Sequence, residues 1–175
     1  MVTTSVPAPQ SRVRTLLAAL FSTHTAALPA DCALIAARVV LAWVFIYHGS
    51  RRLFGWFDGP GIHASAQYFA QTAGLRPGTF FAVSGGIIEF GGGIALAIGL
   101  VARLAGAGIF VDMMMAIVTV TWANGINATG GKSGYELNLA LGTLALVVAF
   151  FGAGRFSVDA LIERRLRPAE APSTG

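Results

Sequence analysis

Two carboxylates stand where a bilayer disfavours them. Glu89 lies in the middle of residues 79–101 and Asp112 in the middle of residues 104–123, both otherwise almost wholly apolar stretches. An acid at the centre of a membrane costs about 2.5–3.5 kcal/mol on insertion scales, so such a residue is a functional-site candidate by default. Arg38, inside a third apolar stretch, is the partner the sequence offers them. One arginine cannot neutralise two acids, and the trio reads in two ways. In the structural reading Arg38 pairs with one acid, the other stays protonated, and the cluster fixes helix register. In the functional reading the surplus acid belongs to a polar pocket that binds a ligand's polar head or passes a proton.

A second polar group gathers at the outer ends of the same stretches: His48, Arg52, Asn124, Lys132, Glu136 and Asn138. His48 reads either as a proton carrier or quinone-headgroup donor, or as an interfacial side chain that keeps its polar tip in water. Glu136 stands one turn inside an apolar stretch, where a carboxylate meets the positive end of a helix dipole. No metal site is expected, because His24, His48 and His63 fall in three different segments and zinc or haem needs ligands on facing elements. Cys32 is the only cysteine, so neither an intrachain disulfide nor a thiol pair is available. Gly131, Lys132 and Ser133 imitate the end of a phosphate-binding loop, but the earlier glycine such a loop needs is Ile126 here. Met113, Met114 and Met115 point in different directions on a helix and read as apolar filler.

The elements that position these residues are membrane spans. Of the 175 residues 55% are hydrophobic and 11% charged, against roughly 25% charged in soluble domains, and the mean hydropathy is +0.69. The chain is therefore expected to be an all-α polytopic membrane protein, a four-helix bundle spanning at residues 32–50, 79–101, 104–123 and 135–152. Each approaches the ~20 residues that cross ~30 Å of hydrocarbon. Only Ala102 and Arg103 separate the second and third spans, which must form a hairpin. The long connection 51–78 is broken early by Gly55, Gly59, Pro60 and Gly61, and residues 64–74 then read as a short interfacial helix. Trp56 and Phe57 belong at headgroup depth.

The domain plan is a tail at 1–31, a membrane domain at 32–160 and a basic, then flexible, tail at 161–175. Residues 1–10 are expected to be disordered. Residues 11–21 read as a surface amphipathic helix, with a cleaved leader as the alternative. The net charge of +4 comes from basic residues at loops and ends, which argues against nucleic acid, since that needs a clustered basic face. With the N-terminus inside, seven basic residues fall on the cytoplasmic side and four outside. The positive-inside rule then places both termini in the cytoplasm of an inner (plasma) membrane. Arg51 and Arg52, directly beyond the first span, vote against this.

At about 100° per residue, Asp112 shares a face with Gly108 and Ala116, and Glu89 shares one with Gly85 and Gly93. Arg38 shares one with Ala42, Phe45, Gly49 and, more loosely, Arg52. Small-residue stripes are the sides membrane helices pack together, so both acids are expected to face the bundle interior. The three charges are expected at nearly one depth, with Arg38 a few Å nearer the cytoplasm.

The run from Arg38 through His48-Gly49-Ser50-Arg51-Arg52-Leu53-Phe54-Gly55-Trp56-Phe57 resembles the first-span signature of the DoxX family of small bacterial membrane proteins. Residues 89–105, in which Glu89 precedes paired glycines, a leucine, a glycine and Arg103, are similar to that family's second-span hallmark. Residues 152–159 resemble its closing motif. Arg52 stands where a lysine is usual and Ala153 where a proline is usual; arginine at 52 changes the geometry of anion contact. The resemblance implies a four-helix bundle linked to redox complexes, because the family is named alongside a subunit of a thiosulfate:quinone oxidoreductase. The leading expectation is an accessory or anchoring, non-catalytic subunit of a quinone-linked redox or oxidative-stress complex. Its site would be Arg38, Glu89 and Asp112, with His48, Glu136, Arg52, Asn124 and Asn138 at the outer mouth. No cofactor is required by the residues, though a quinone or lipid would suit the site; lipid bilayer, a membrane redox partner and a second copy are the expected partners. The alternatives are a small-molecule or proton carrier using the mid-membrane acids, and a purely structural scaffold.

Overall fold

The computed structural model describes residues 27–127 and 133–166. The expected surface helix at 11–21, the leader alternative, Arg12, Arg14, Lys132 and Arg167 lie outside the described residues. Among the described residues every regular element is helical. Three helices are long and apolar enough to cross a membrane, and a fourth apolar helix is shorter.

Helix α1 runs Ala27–Phe54, 28 residues or about 42 Å. It extends beyond the apolar stretch at both ends because its terminal polar residues have partners. Asp31 accepts from Arg155 N at 2.9 Å and from Arg155 Nε, and Arg52 is salt-bridged. Gly55, with φ +71°, turns the chain out of the helix. Arg51 then holds the turn by donating to the Phe57 and Asp58 carbonyls. Helix α2, Gly61–Gln71, follows and packs on α3. It starts three residues earlier than the sequence pattern suggests, directly after Pro60.

Helix α3 (Gly78–Ile98) stops at Gly99, whose φ of +68° lets its N–H reach Leu96 O while Leu100 N reaches Ala95 O. Such a left-handed residue is the usual way to satisfy the last carbonyls of a helix. Helix α4 (Ala102–Ala116) begins three residues later, giving the tight hairpin the sequence demands, and continues as a π-helical stretch Ile117–Thr121 and a 3-10 turn Trp122–Asn124. Helix α5, Glu136–Phe151, has 16 residues, about 24 Å. Helix α6, Val158–Leu166, gives the start of the expected C-terminal tail a folded form.

Helix α1 packs chiefly on α3, and α4 on α5. The first contact is close because glycines sit on it: a Cβ at Gly93 would lie 2.9 Å from Ile46 and 3.3 Å from Ala42 O. Leu41, Phe45, Leu96, Ile109 and Val148 form the fully buried core between the two pairs. The opposite faces are as apolar as the core. Trp43 is 80% exposed, and Leu104, Val118 and Phe151 stand out likewise, the pattern of a surface solvated by lipid.

Helix ends α3 and α4 are locked by charged groups. Arg38 is 4% exposed and donates from Nε to Leu96 O at 2.9 Å, from Nη1 to Ala153 O at 2.7 Å and Phe156 O at 3.1 Å, and from Nη2 to Ala97 O at 3.3 Å. Asp159 accepts from Val101 N at 2.8 Å and Ala102 N at 3.0 Å, the free donors that open α4. Its own N–H returns to Gly99 O at 3.0 Å.

Candidate functional site

The two acids do meet, but around a different arginine. Arg52, in the last turn of α1, places Nη2 3.0 Å from Glu89 Oε1. The Asp112 carboxyl lies beside the same guanidinium and against Glu89. Gly85, one turn before Glu89, makes room for this: a Cβ there would collide with Arg52 Nη1 and lie 3.4 Å from Asp112 Oδ1. The guanidinium carbon also sits 5.2 Å from the centre of the Phe69 ring, a cation–π distance that ties α2 to the cluster.

Arg38 therefore takes no part in the acid cluster, contrary to the sequence expectation. It is 14 residues from Arg52 on one helix, about 21 Å along the axis. The expected depth rested on a first span beginning at residue 32, whereas the helix begins five residues earlier. Arg38 instead meets the open carbonyls at the end of α3, where a cation is favoured. Arg52, expected only at the mouth, is the central cation.

Glu89 is 3% exposed, and no hydrogen-bond donor reaches its Oε2. Asp112 is its carboxyl neighbour, yet two carboxylates have no hydrogen to share; that contact is a hydrogen bond only with a proton between them. Beside the cluster lies a cavity of about 760 Å³, within the size of small-molecule sites. Helix α2 roofs it with Ser65, Tyr68 and Phe69, and Phe80, Phe81 and the acids form its walls. Three lining residues, Phe80 on α3 and Val111 and Met115 on α4, are also largely exposed. The cavity thus reaches the lipid-facing side between α3 and α4.

The remaining expected residues divide. His48 lines the cavity, edge-on to the Tyr47 ring at 5.5 Å. Asn138 lines it too, with Nδ2 donating to Thr121 Oγ1 at 3.4 Å. Glu136 and Asn124 are not among the lining residues: Glu136 is exposed in the first turn of α5, and Asn124 donates to Ser133 O at 2.9 Å. The π-helical stretch contributes Thr119, Val120 and Thr121 to the wall. Among the described residues no three His, Cys, Asp or Glu side chains converge as a metal site.

Sequence reasoning missed Arg52 as the centre, and also Asp31 and Asp159. The signals for Arg52 were its place in the first-span signature and the loose face it shares with Arg38, and neither says which of the two meets the acids.

The DoxX family model matches residues 33–122, just over half of the chain. The chain belongs to the DoxX family. It is accordingly a multi-pass membrane protein, and Arg52, Glu89 and Asp112 all lie inside the DoxX segment. The closing motif at 152–159 lies outside it. No curated protein and no solved structure matches the chain.

Proposed function

We propose that this chain is a four-span protein of the plasma membrane that binds the polar head of a lipid-soluble molecule at Arg52, Glu89 and Asp112. In this reading it serves as an accessory or anchoring subunit of a quinone-linked redox or oxidative-stress complex. The observation that carries the site is the buried Glu89 Oε2, which no donor among the described residues reaches, on a side chain that lines a cavity large enough for a ligand. A quinone or lipid head offers the groups that such a site lacks. The redox partnership rests on the family resemblance, since the chain itself holds no thiol pair and no paired histidines.

Helix α5 supports a fourth span: it packs along α4 and is wholly apolar after Glu136 apart from Asn138 and Thr143. A short span is accommodated by local bilayer thinning at modest cost. Cytoplasmic termini gain support from the charges. Arg52, which opposed that orientation, is spent in an ion pair with Glu89, whereas Arg103, Arg164 and Arg165 stand exposed at the other end.

Copurification from native membranes in mild detergent tests this reading. The expected result is recovery with a redox protein or a quinone; repeated recovery alone, without either, overturns the partnership. A carrier reading is favoured by the mid-membrane placement of the acids, where transporters hold their substrates. Reconstituted vesicles with no flux dependent on Glu89 or Asp112 would remove it.

A further inference from the structure

We propose that the cavity takes a lipophilic monocation, bound in exchange for one proton held between Glu89 and Asp112. This rests on the cavity being a ligand site and names the class of ligand. The charges facing the acids come from every surrounding element. Among the described residues helix α1 supplies His48, Arg51 and Arg52, α2 only the Ser65 and Tyr68 hydroxyls, and α5 only the Asn138 amide. Arg51 is turned away, its guanidinium occupied by the Phe57 and Asp58 carbonyls and the Tyr47 hydroxyl. Among the described residues one cation, Arg52, therefore stands against two acids, and the cluster with both acids ionised carries a net charge of minus one.

That charge cannot stand alone in hydrocarbon. At rest one proton between the carboxyls cancels it. A monocation cancels it equally well, and the cavity beside the acids is built to hold one. Its walls carry Tyr68, Phe69, Phe80 and Phe81, whose faces attract cations. Phe69 already holds the Arg52 guanidinium in this way. The opening between α3 and α4 is rimmed by exposed Phe80, Val111 and Met115, which selects a ligand arriving from lipid. Anions are repelled, and hydrophilic cations do not partition to the entrance. The exchange is balanced: one cation enters from the bilayer, and one proton leaves to water. No other charge changes.

Tetraphenylphosphonium binding to the purified protein in nanodiscs tests this, with a short-chain quinone as the neutral probe. The expected result is release of one proton per cation bound, read by calorimetry in buffers of different ionisation enthalpy. Affinity should rise about tenfold per pH unit wherever the pair holds its proton. Asp112→Asn, which leaves Arg52 and Glu89 as a neutral pair, should lower affinity at least tenfold and flatten the pH dependence. Cation binding with no proton release and no pH dependence in the wild-type protein overturns the exchange, whatever the variant does. Binding of the quinone but not the cation overturns the ligand class and leaves the cavity reading intact. Binding of neither overturns both.

Discussion

Two arginines on one helix have opposite fates. Arg38 meets four backbone carbonyls; Arg52 meets a carboxylate, a ring and the edge of a cavity. Carbonyl dipoles at a helix end saturate a guanidinium without adding a titratable group, so Arg38 itself is chemically quiet; the acids at this end, Asp31 and Asp159, are likewise tied to backbone N–H groups beside a second cavity of about 600 Å³. At the Arg52 end ionisable groups outnumber the cation, and open space adjoins them. Burial of charge alone thus does not mark a functional site; unequal charge beside a cavity does.

Arg38→Leu should break the quiet end most severely. It strands the Leu96, Ala97, Ala153 and Phe156 carbonyls, and hydrogen bonds to a charged group contribute about 1.5–3 kcal/mol each. Unfolding in mixed micelles should show a loss of at least about 3 kcal/mol. Arg38→Lys should recover little, because a single ammonium cannot span both the end of α3 and residues 153–156 as the planar fork does. A loss below about 1 kcal/mol for Arg38→Leu would erase the difference between the two ends.

Gly85→Ala attacks the Arg52 end through space rather than charge. The new methyl meets Arg52 Nη1, and overpacking of this kind costs about 1–3 kcal/mol. The lower part of that range is expected, since a guanidinium tip shifts more readily than backbone. The diagnostic change is elsewhere: Arg52 is pushed off Glu89, so binding of a quinone or lipid head should fall with most of the stability retained. Parallel unfolding and binding measurements check this, and equal losses in both would make the site a packing feature.

Asp159→Ala returns to the Arg38 end with a smaller effect. Its carboxylate caps α4 across the chain, and losing a cap costs about 1 kcal/mol. Hydrogen exchange should report faster opening confined to the first turn of α4. Unchanged exchange there would show that Arg38 holds this end by itself.

Three of the four expected spans, the hairpin and the inward acids were legible because hydropathy and small-residue stripes encode them locally. The partner of the acids was not. Arg38 and Arg52 lie two heptads apart and share a face only loosely, so periodicity does not choose between them. The choice is made by where α3 ends, at Gly99, since its open carbonyls claim Arg38. It is also made by the vacancy at Gly85, which admits Arg52. Asp31 and Asp159 were illegible for a similar reason: each acts on backbone more than 50 residues away, which no local pattern records. Glu136, legible as a helix N-terminal acid, proved to be that and stayed out of the cavity.

Glu89→Gln should have the smallest effect on stability and decides most about the comparison. The amide is the same size, keeps an oxygen for Arg52 and offers a hydrogen to Asp112. Arg52 and Asp112 are left as a balanced pair, and the surplus charge disappears. Breaking a buried pair is costly when it leaves a charge uncompensated; here Asp112 still faces Arg52, so unfolding free energy should move by less than about 1 kcal/mol, in either direction. The same variant should lose the ligand, because the charge that calls for one is gone. If Glu89→Gln instead unfolds the bundle as Arg38→Leu does, the two arginines belong to one class, and the acids fix register rather than bind. Stability retained with binding lost is the outcome that only an unequal pair of ends produces.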